Sequence, residues 1–280
     1  MIPLLAVHRV SAASIAGDWH LNPAPAVLVV GALAIFVPAY LRVRRRDPAA
    51  APPARAWLFA AGLALIAGPL VSPLDVAGER YLLSAHMLEH VLLADAGPAL
   101  IVLAVRGPLT RELLPRAVPL RPPVRALARW LMRPPATLAA WVAVIGLWHV
   151  PALYDRALAD PALHDLEHLS FLCAGLMIWV QMVDPGRRGR LALPGRIAFT
   201  IAVFFAGQVL SDALVFSFHP YYPAYADQAA RLAGISPLTD QRLAGIVMAI
   251  EQLATLGTCL CVLLLRLRRD AEMRRNYRVA

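Results

Sequence analysis

The chain has 280 residues, of which 59% are hydrophobic and 16% are charged, and its formal net charge is +9 at pH 7. A soluble domain carries roughly 25% charged residues, so this composition excludes a soluble globular protein and predicts an all-α membrane protein. All 27 basic residues are arginine, and they lie between apolar runs. We therefore expect them to face an anionic membrane surface, and we expect no nucleic-acid partner.

Seven apolar segments have lengths near the roughly 20 residues that a membrane-spanning helix needs. In chain order they are 23–41, 56–71, 81–105, 136–150, 164–183, 197–218 and 243–265. The second and fourth are short, and Gly97-Pro98 predicts a kink in the third. The sequence thus predicts a polytopic bundle of seven transmembrane helices over 23–265, with an outer N-terminal segment 1–22 and a basic cytoplasmic tail 266–280.

The arginines also predict the orientation of the bundle. Of the 27, 22 lie in four alternate segments, 42–55, 106–133, 184–196 and 266–280. The positive-inside rule assigns these segments to the cytoplasm, so the N-terminus is predicted outside and the C-terminus inside. On this topology all eight histidines, including His8, His20 and His219, fall in the outer half of the protein.

The sequence His-x-x-Glu-His occurs twice, at His86–His90 and at His164–His168. Residues four apart lie on one face of a helix, so each copy presents two imidazoles together. A charge inside a membrane span costs roughly 2.5–3.5 kcal/mol, which makes such residues functional candidates. Imidazole binds zinc, copper and iron. We therefore predict that the two pairs meet across the bundle and supply four nitrogens to one metal ion.

Other residues are candidates for the same site. His149 can add a fifth ligand, and Glu89 and Glu167 can ligate the metal or orient an imidazole. Asp212, toward the outer end of the sixth segment, and Met87, a soft copper ligand, are further candidates. The alternative is that these polar groups only form hydrogen bonds between helices.

Two other functions are compatible with the repeated motif. His-x-x-Glu-His also occurs in a class of zinc proteases, where the glutamate activates a metal-bound water, so a membrane-embedded metallohydrolase remains open. Helix bundles also hold haem between facing histidines, so a protein with bis-histidine haem b remains open as well.

The loop 219–240 contains Tyr221, Tyr222 and Tyr225. Such tyrosines are typical of the aromatic belt at the membrane surface. Since they follow His219, this loop is alternatively a lid or a docking surface over the outer site.

Four stretches together resemble the CtaG family of cytochrome c oxidase assembly factors. They are HMLEHVLL with a downstream proline, WHVPALYDRAL, LHDLEHLSFLCAGLMIW and SPLTDQRLAG, and the resemblance covers roughly residues 20–265. It implies a multi-pass protein of the bacterial plasma membrane that assists oxidase assembly, acts on oxidase subunits within the lipid bilayer and is not an enzyme. It also implies a role in copper delivery, whereas the residue pattern by itself leaves zinc or haem b as alternatives.

Carried over by position, the motif residues are His86, His90, His149, His164, His168 and the Asp240-Gln241 pair. The family has an aromatic residue soon after the last motif. Here that region contains Glu251 and Gln252 instead.

Overall fold

The computed structural model describes residues 8–10, 12–19, 23–113, 121–187, 189–228 and 230–279. The described chain is almost wholly helical, which confirms the predicted all-α class. One pair of short parallel strands, β1 (His8–Val10) and β2 (Ala230–Leu232), joins the N-terminal segment to the loop that precedes the last long helix.

Within the described residues, six helical stretches are long and apolar enough to cross a membrane. They are built from α2 (Pro23–Arg46), α3 (Pro53–Ala67), α5 (Leu83–Val91) with α6 (Gly97–Ala104), α11 (Pro161–Val183), α12 (Leu193–Val215), and α14 (Pro237–Gln252) with α15 (Thr258–Val279). π-helical turns join α5 to α6 at Leu92–Ala96 and α14 to α15 at Leu253–Gly257. The irregularity expected at Gly97-Pro98 thus appears as a π-helical turn just before it.

The seventh predicted segment, 136–150, corresponds to a shorter helix. α8 (Pro122–Leu131) and α9 (Pro134–Trp148) are bent by 88° at the break between them, and the pair counts as a span only if both are taken together. The two consecutive prolines that open α9 lack the N–H groups needed to continue α8, so the helix breaks there. α8 leaves Val124, Leu127 and Trp130 about half exposed, as expected for a helix lying along a membrane surface.

Shorter elements connect the spans. They are the helices α1 (Ala12–Ile15), α4 (Pro73–Arg80), α7 (Pro108–Leu113), α10 (Pro151–Ala159) and α13 (Pro223–Ala226), and the 3₁₀ turns Pro48–Ala50 and Pro69–Val71. Both α4 and α10 lie at the end of the bundle where α5 and α11 begin, and they line the candidate site described below.

The two ends of the bundle differ in chemistry. Histidines gather where α5 and α11 start, whereas arginines gather where α6 ends and α12 starts. At the arginine end, Arg55 donates a hydrogen bond to the carbonyl of Arg106, and Arg196 donates to the carbonyls of Met182 and Val183. The arginine distribution in the sequence predicts this arrangement, with the histidines at one end of the bundle and the arginine-rich segments at the other.

A close contact sets α11 against the span formed by α5 and α6. Gly175 of α11 lies so near the π-helical turn that a Cβ at this position would collide with the carbonyl oxygen of Ala94. The core beside this contact includes Trp141, Ile178 and Val203, which come from three different helices. Because α11 is fixed at this depth, its first turns stand level with the first turns of α5.

Candidate metal centre

The two His-x-x-Glu-His motifs face each other across the bundle, as predicted. His86 and His90 project from α5, and their Nε2 atoms are 2.7 Å apart. His164 and His168 project from the first turns of α11. The Nε2 atom of His164 lies 3.4 Å from that of His86, and the Nε2 atom of His168 lies 3.3 Å from that of His90.

These separations match the size of a metal coordination sphere. Zinc–nitrogen bonds of 2.0–2.1 Å in a tetrahedron place ligand atoms about 3.3–3.4 Å apart. Two of the three nitrogen pairs have this spacing, and the third is shorter. One ligand atom from each of five side chains lies within 4.8 Å of all the others, and these residues are His86, Glu89, His90, His164 and His168. We call this group the histidine cluster.

Both glutamates of the repeated motif are buried beside the histidines. Glu89 Oε1 lies 3.3 Å from His168 Nε2, and Glu167 Oε1 lies 4.0 Å from His90 Nε2. Glu89 Oε2 and Glu167 Oε1 have no hydrogen-bond partner among the described residues, although each carboxylate is about 99% buried. Buried carboxylate oxygens without donors are costly unless a cation compensates them. The donor set therefore fits a metal ion.

Tyr225 of α13 fixes the tautomer of His86. Its hydroxyl donates to the carbonyl of Gly78 at 2.8 Å and lies 3.0 Å from His86 Nδ1 and 3.1 Å from the hydroxyl of Tyr154. Burial raises the pKa of Tyr225, so the phenol keeps its proton at neutral pH. Since that proton goes to Gly78, His86 must carry its own proton on Nδ1, and the lone pair of Nε2 points into the cluster.

A carboxylate orients His164 in the same way. His164 Nδ1 lies 3.2 Å from Glu79 Oε1, so the ring presents Nε2 to the cluster. Glu79 also lines a cavity of about 240 Å³ beside the cluster, together with Asp75, Asp165, His164 and His168. This acidic vestibule, defined by those five residues, places carboxyl groups beside the histidines of α11.

Asp240 of α14 caps the helix that carries His86 and His90. Its carboxylate accepts the backbone N–H of Leu83 at 2.6 Å and the N–H and hydroxyl of Ser84 at 3.1 and 2.5 Å. These groups lie at the start of α5, where N–H groups lack partners inside the helix and where negative charge is favourable. Asp240 thus holds the first turn of α5 against α14.

Gln241 fixes the loop above the cluster. Its side-chain oxygen accepts the N–H of Tyr221 at 2.6 Å, and its nitrogen donates to Ser217 Oγ at 2.7 Å and to the carbonyl of His219 at 3.2 Å. The Asp240-Gln241 pair therefore supports the cluster indirectly, because it positions the first turn of α5 and the loop that contains Tyr221.

Three of the predicted metal ligands lie outside the five-residue cluster: Glu167, which is buried beside it, His149 and Asp212. His149 ends α9, and its Nδ1 lies 2.8 Å from the carbonyl of Ile145, while its buried Nε2 has no partner among the described residues. Asp212 lies on an exposed face of α12 and is not brought into the cluster, because the buried face of that helix passes through Gly207, Ser211 and Leu214.

The other histidines and the neighbouring methionine take different positions. His219 is exposed beside Tyr221, His8 lies in β1, and His20 lies outside the described residues. Met87 is buried next to the histidines, in the core that includes Leu83 and Tyr154.

The aromatic-belt interpretation is wrong for Tyr222 and Tyr225. Both are at least 97% buried, and they pack with Tyr154 over the cluster. The sequence reasoning missed Tyr154, Tyr225 and Glu79 as supports of the site. Their only signal was their nearness in sequence to histidine motifs or helix ends, because the contacts themselves join distant parts of the chain.

Comparison with known proteins agrees with this geometry. The family model described as cytochrome c oxidase caa3 assembly factor (Caa3_CtaG) matches residues 34–270. This range includes the whole cluster, His149 and the Asp240-Gln241 pair. Comparisons with curated proteins and with solved structures gave no match. The chain belongs to the Caa3_CtaG family of cytochrome c oxidase assembly factors.

Proposed function

We propose that this assembly factor binds a copper ion at the histidine cluster and delivers it to a subunit of the oxidase. The observation that carries the proposal is the convergence of four imidazole nitrogens and one carboxylate oxygen within 4.8 Å. We also propose that the cluster faces the outer side of the bacterial plasma membrane, since the arginine-rich segments favour the cytoplasm for the other end.

Two arguments favour copper as the cargo. Sites with imidazole ligands bind divalent copper more tightly than zinc, following the general order of metal affinities. The oxidases that this family serves are haem–copper enzymes, so copper is a substrate that their assembly requires. The acidic vestibule supports delivery as well as storage, because Asp75 and Glu79 attract a cation to the side of the cluster formed by His164.

The geometry disfavours the two alternative functions. A haem needs a flat slot between its two axial histidines, and imidazole nitrogens that are 2.7, 3.3 and 3.4 Å apart leave no such slot. A hydrolytic zinc ion keeps one open position for water. Here four imidazoles can fill a tetrahedral sphere, and Glu89 directly contacts His168 instead of standing back to activate a water.

The test compares two variants of the full-length protein in cells that make the oxidase. His86→Ala combined with His168→Ala removes one imidazole from each motif, while His219→Ala removes an exposed histidine outside the cluster. We expect the double variant to lower oxidase activity per unit of membrane-inserted protein, with partial rescue by added copper. We expect His219→Ala to match the wild type.

The metal content of the purified proteins provides a second measurement, which does not depend on oxidase activity. We expect the purified wild-type protein to bind about one equivalent of copper and the double variant to lose it. Wild-type protein that binds no copper, or a double variant with unchanged oxidase activity, would contradict the proposal. A Soret band in the wild type would indicate haem, and proteolysis that disappears in the double variant would indicate a hydrolase.

A further inference from the structure

A pair of carboxyl groups, Asp95 and Glu251, lies in the interior of the bundle. It is deeper than the histidine cluster, beyond the end of α5 and at the end of α14. Asp95 belongs to the π-helical turn Leu92–Ala96, and Glu251 lies in the last turn of α14, just before the π-helical turn Leu253–Gly257. Their side chains are within hydrogen-bonding reach of each other. π-helical turns occur frequently at functional sites, and acidic groups inside a membrane span are functional candidates.

Hydrogen bonds identify which carboxyl group is charged. Trp179 Nε1 donates to Asp95 Oδ1, and the hydroxyl of Thr255 donates to Asp95 Oδ2 at 2.9 Å. Neither oxygen of Glu251 receives a hydrogen bond from the described residues, although both are buried. Two carboxylates are both acceptors, so a hydrogen bond between them requires one proton. Asp95 already accepts two donors, so Glu251 carries that proton and donates it to Asp95.

A small cavity joins this pair to the outer site. It has a volume of about 50 Å³, and we call it the inner chamber; its polar lining residues are His90, Asp95, His149, Glu251 and Gln252. Three of these carry buried atoms without a partner among the described residues: His90 Nδ1, His149 Nε2 and Gln252 Oε1. One water needs about 10–15 Å³ of such space and two to four polar partners. The inner chamber therefore has room and partners for a few waters.

A second cavity lies on the other side of the pair. It has a volume of about 360 Å³ and is lined by Trp179 and Thr255, the two donors to Asp95. The remaining titratable groups that line it are Arg106, Arg196, Cys259 and Arg266. The carboxyl pair thus stands between a polar chamber beside the histidines and a cavity at the arginine end.

We propose that Asp95 and Glu251 form a proton-binding site inside the membrane, which exchanges its proton with water in the inner chamber. Loss of the Glu251 proton to a chamber water gives a hydronium ion and leaves two carboxylates; return of the proton restores one charge. Asp95 stays ionised throughout, because Trp179 and Thr255 stabilise its charge. The charged or titratable groups that face the pair are His90 and His149 across the chamber, and Arg106, Arg196, Cys259 and Arg266 across the second cavity. The carboxyl pair contains none of the proposed copper ligands, although one of them, His90, lines the inner chamber, and the proposal does not require a bound metal.

Infrared spectroscopy of the full-length protein in lipid nanodiscs tests the proposal. A protonated carboxyl group gives a C=O stretch that shifts in D₂O if its proton exchanges. We expect such a band in the wild type, its loss in Glu251→Gln, and no change in the control Glu272→Gln, whose side chain is 55% exposed. A wild type whose protonated-carboxyl bands all persist at full intensity in Glu251→Gln would overturn the proposal.

Two further variants test the parts of the site without removing the pair. Thr255→Val removes one donor to Asp95 and should move the frequency of the band while leaving it present. A spectrum that does not move would overturn the proposal even if Glu251→Gln failed to insert. Gly207 lines the inner chamber, and a Cβ there would collide with the flexible side chain of Gln252, so Gly207→Ala should displace that side chain, narrow the chamber and slow the D₂O shift. An unchanged exchange rate would refute the route through the chamber.

Discussion

Tyr225→Phe removes one oxygen atom from a residue that is not itself a proposed ligand. That oxygen accepts the Nδ1–H of His86 at 3.0 Å and donates to the carbonyl of Gly78 at 2.8 Å. Without it, the ring of His86 loses the contact that fixes its tautomer and direction. Losing such an outer contact to a metal ligand typically lowers metal affinity 10–100-fold, which is about 1.4–2.7 kcal/mol of binding free energy.

Tyr222→Phe is a matched control in the same loop. The hydroxyl of Tyr222 donates to the backbone carbonyl of His149 at 3.2 Å and, among the described residues, makes no hydrogen bond to a cluster histidine. Tyr222→Phe leaves one buried carbonyl without its donor, at a cost to folding of about 1–3 kcal/mol, whereas Tyr225→Phe removes a partner from the carbonyl of Gly78, the Nδ1–H of His86 and the hydroxyl of Tyr154. Tyr225→Phe should therefore be the less stable of the two variants, and it alone should lose metal affinity.

The assay is a competition titration of purified protein against a chromogenic copper chelator, with thermal unfolding measured on the same samples. We expect the Kd for copper to rise about 10–100-fold in Tyr225→Phe and to stay within about twofold of wild type in Tyr222→Phe. Equal affinities in all three proteins would refute the assignment of His86 Nε2 as a ligand held by Tyr225. An equal loss in both variants would point to general damage to the loop.

Three other perturbations have definite expected outcomes. Asp240→Ala should lower the free energy of unfolding by about 2–4 kcal/mol, because it leaves buried donors at the start of α5 unpaired; an unchanged melting temperature would contradict its capping role. Gly175→Val should reduce the amount of inserted protein, since its side chain would collide with the carbonyl of Ala94; normal insertion would argue against this helix contact. Reporter fusions at Ala280 and in the segment 106–133 should both report the cytoplasm, and a periplasmic signal from either would reverse the proposed orientation.

Hydropathy and charge predicted most of the membrane spans correctly, and the errors lie where polar residues or a bend interrupt a helix. Six predicted segments correspond to long apolar helices, but the fourth is only part of a bent pair. The last helical stretch, α14 and α15 joined by a π-helical turn, runs from Pro237 to Val279, well beyond the predicted 243–265. Its start was missed because Asp240 and Gln241 lower the local hydropathy, although both side chains point inward and make hydrogen bonds.

The part of the site that follows from helix periodicity could be predicted from the sequence. The four-residue spacing of His86 and His90, repeated at His164 and His168, predicted two pairs that face each other, and this geometry is confirmed. Asp212 could not be excluded in advance, because depth in the membrane does not determine which way a side chain faces. The contact of Tyr225 with His86 joins residues 139 positions apart, and one sequence carries no signal for such a pair.

We propose that the paired histidines themselves hold the copper ion. X-ray absorption spectroscopy of the copper-loaded, full-length protein tests this proposal, because the spectrum identifies the atoms bound to the metal. We expect three or four imidazole nitrogens at about 2 Å, with no sulfur ligand, and loss of this signal in His86→Ala with His168→Ala. A copper–sulfur distance from methionine or cysteine, or the same spectrum in the double variant, would contradict it.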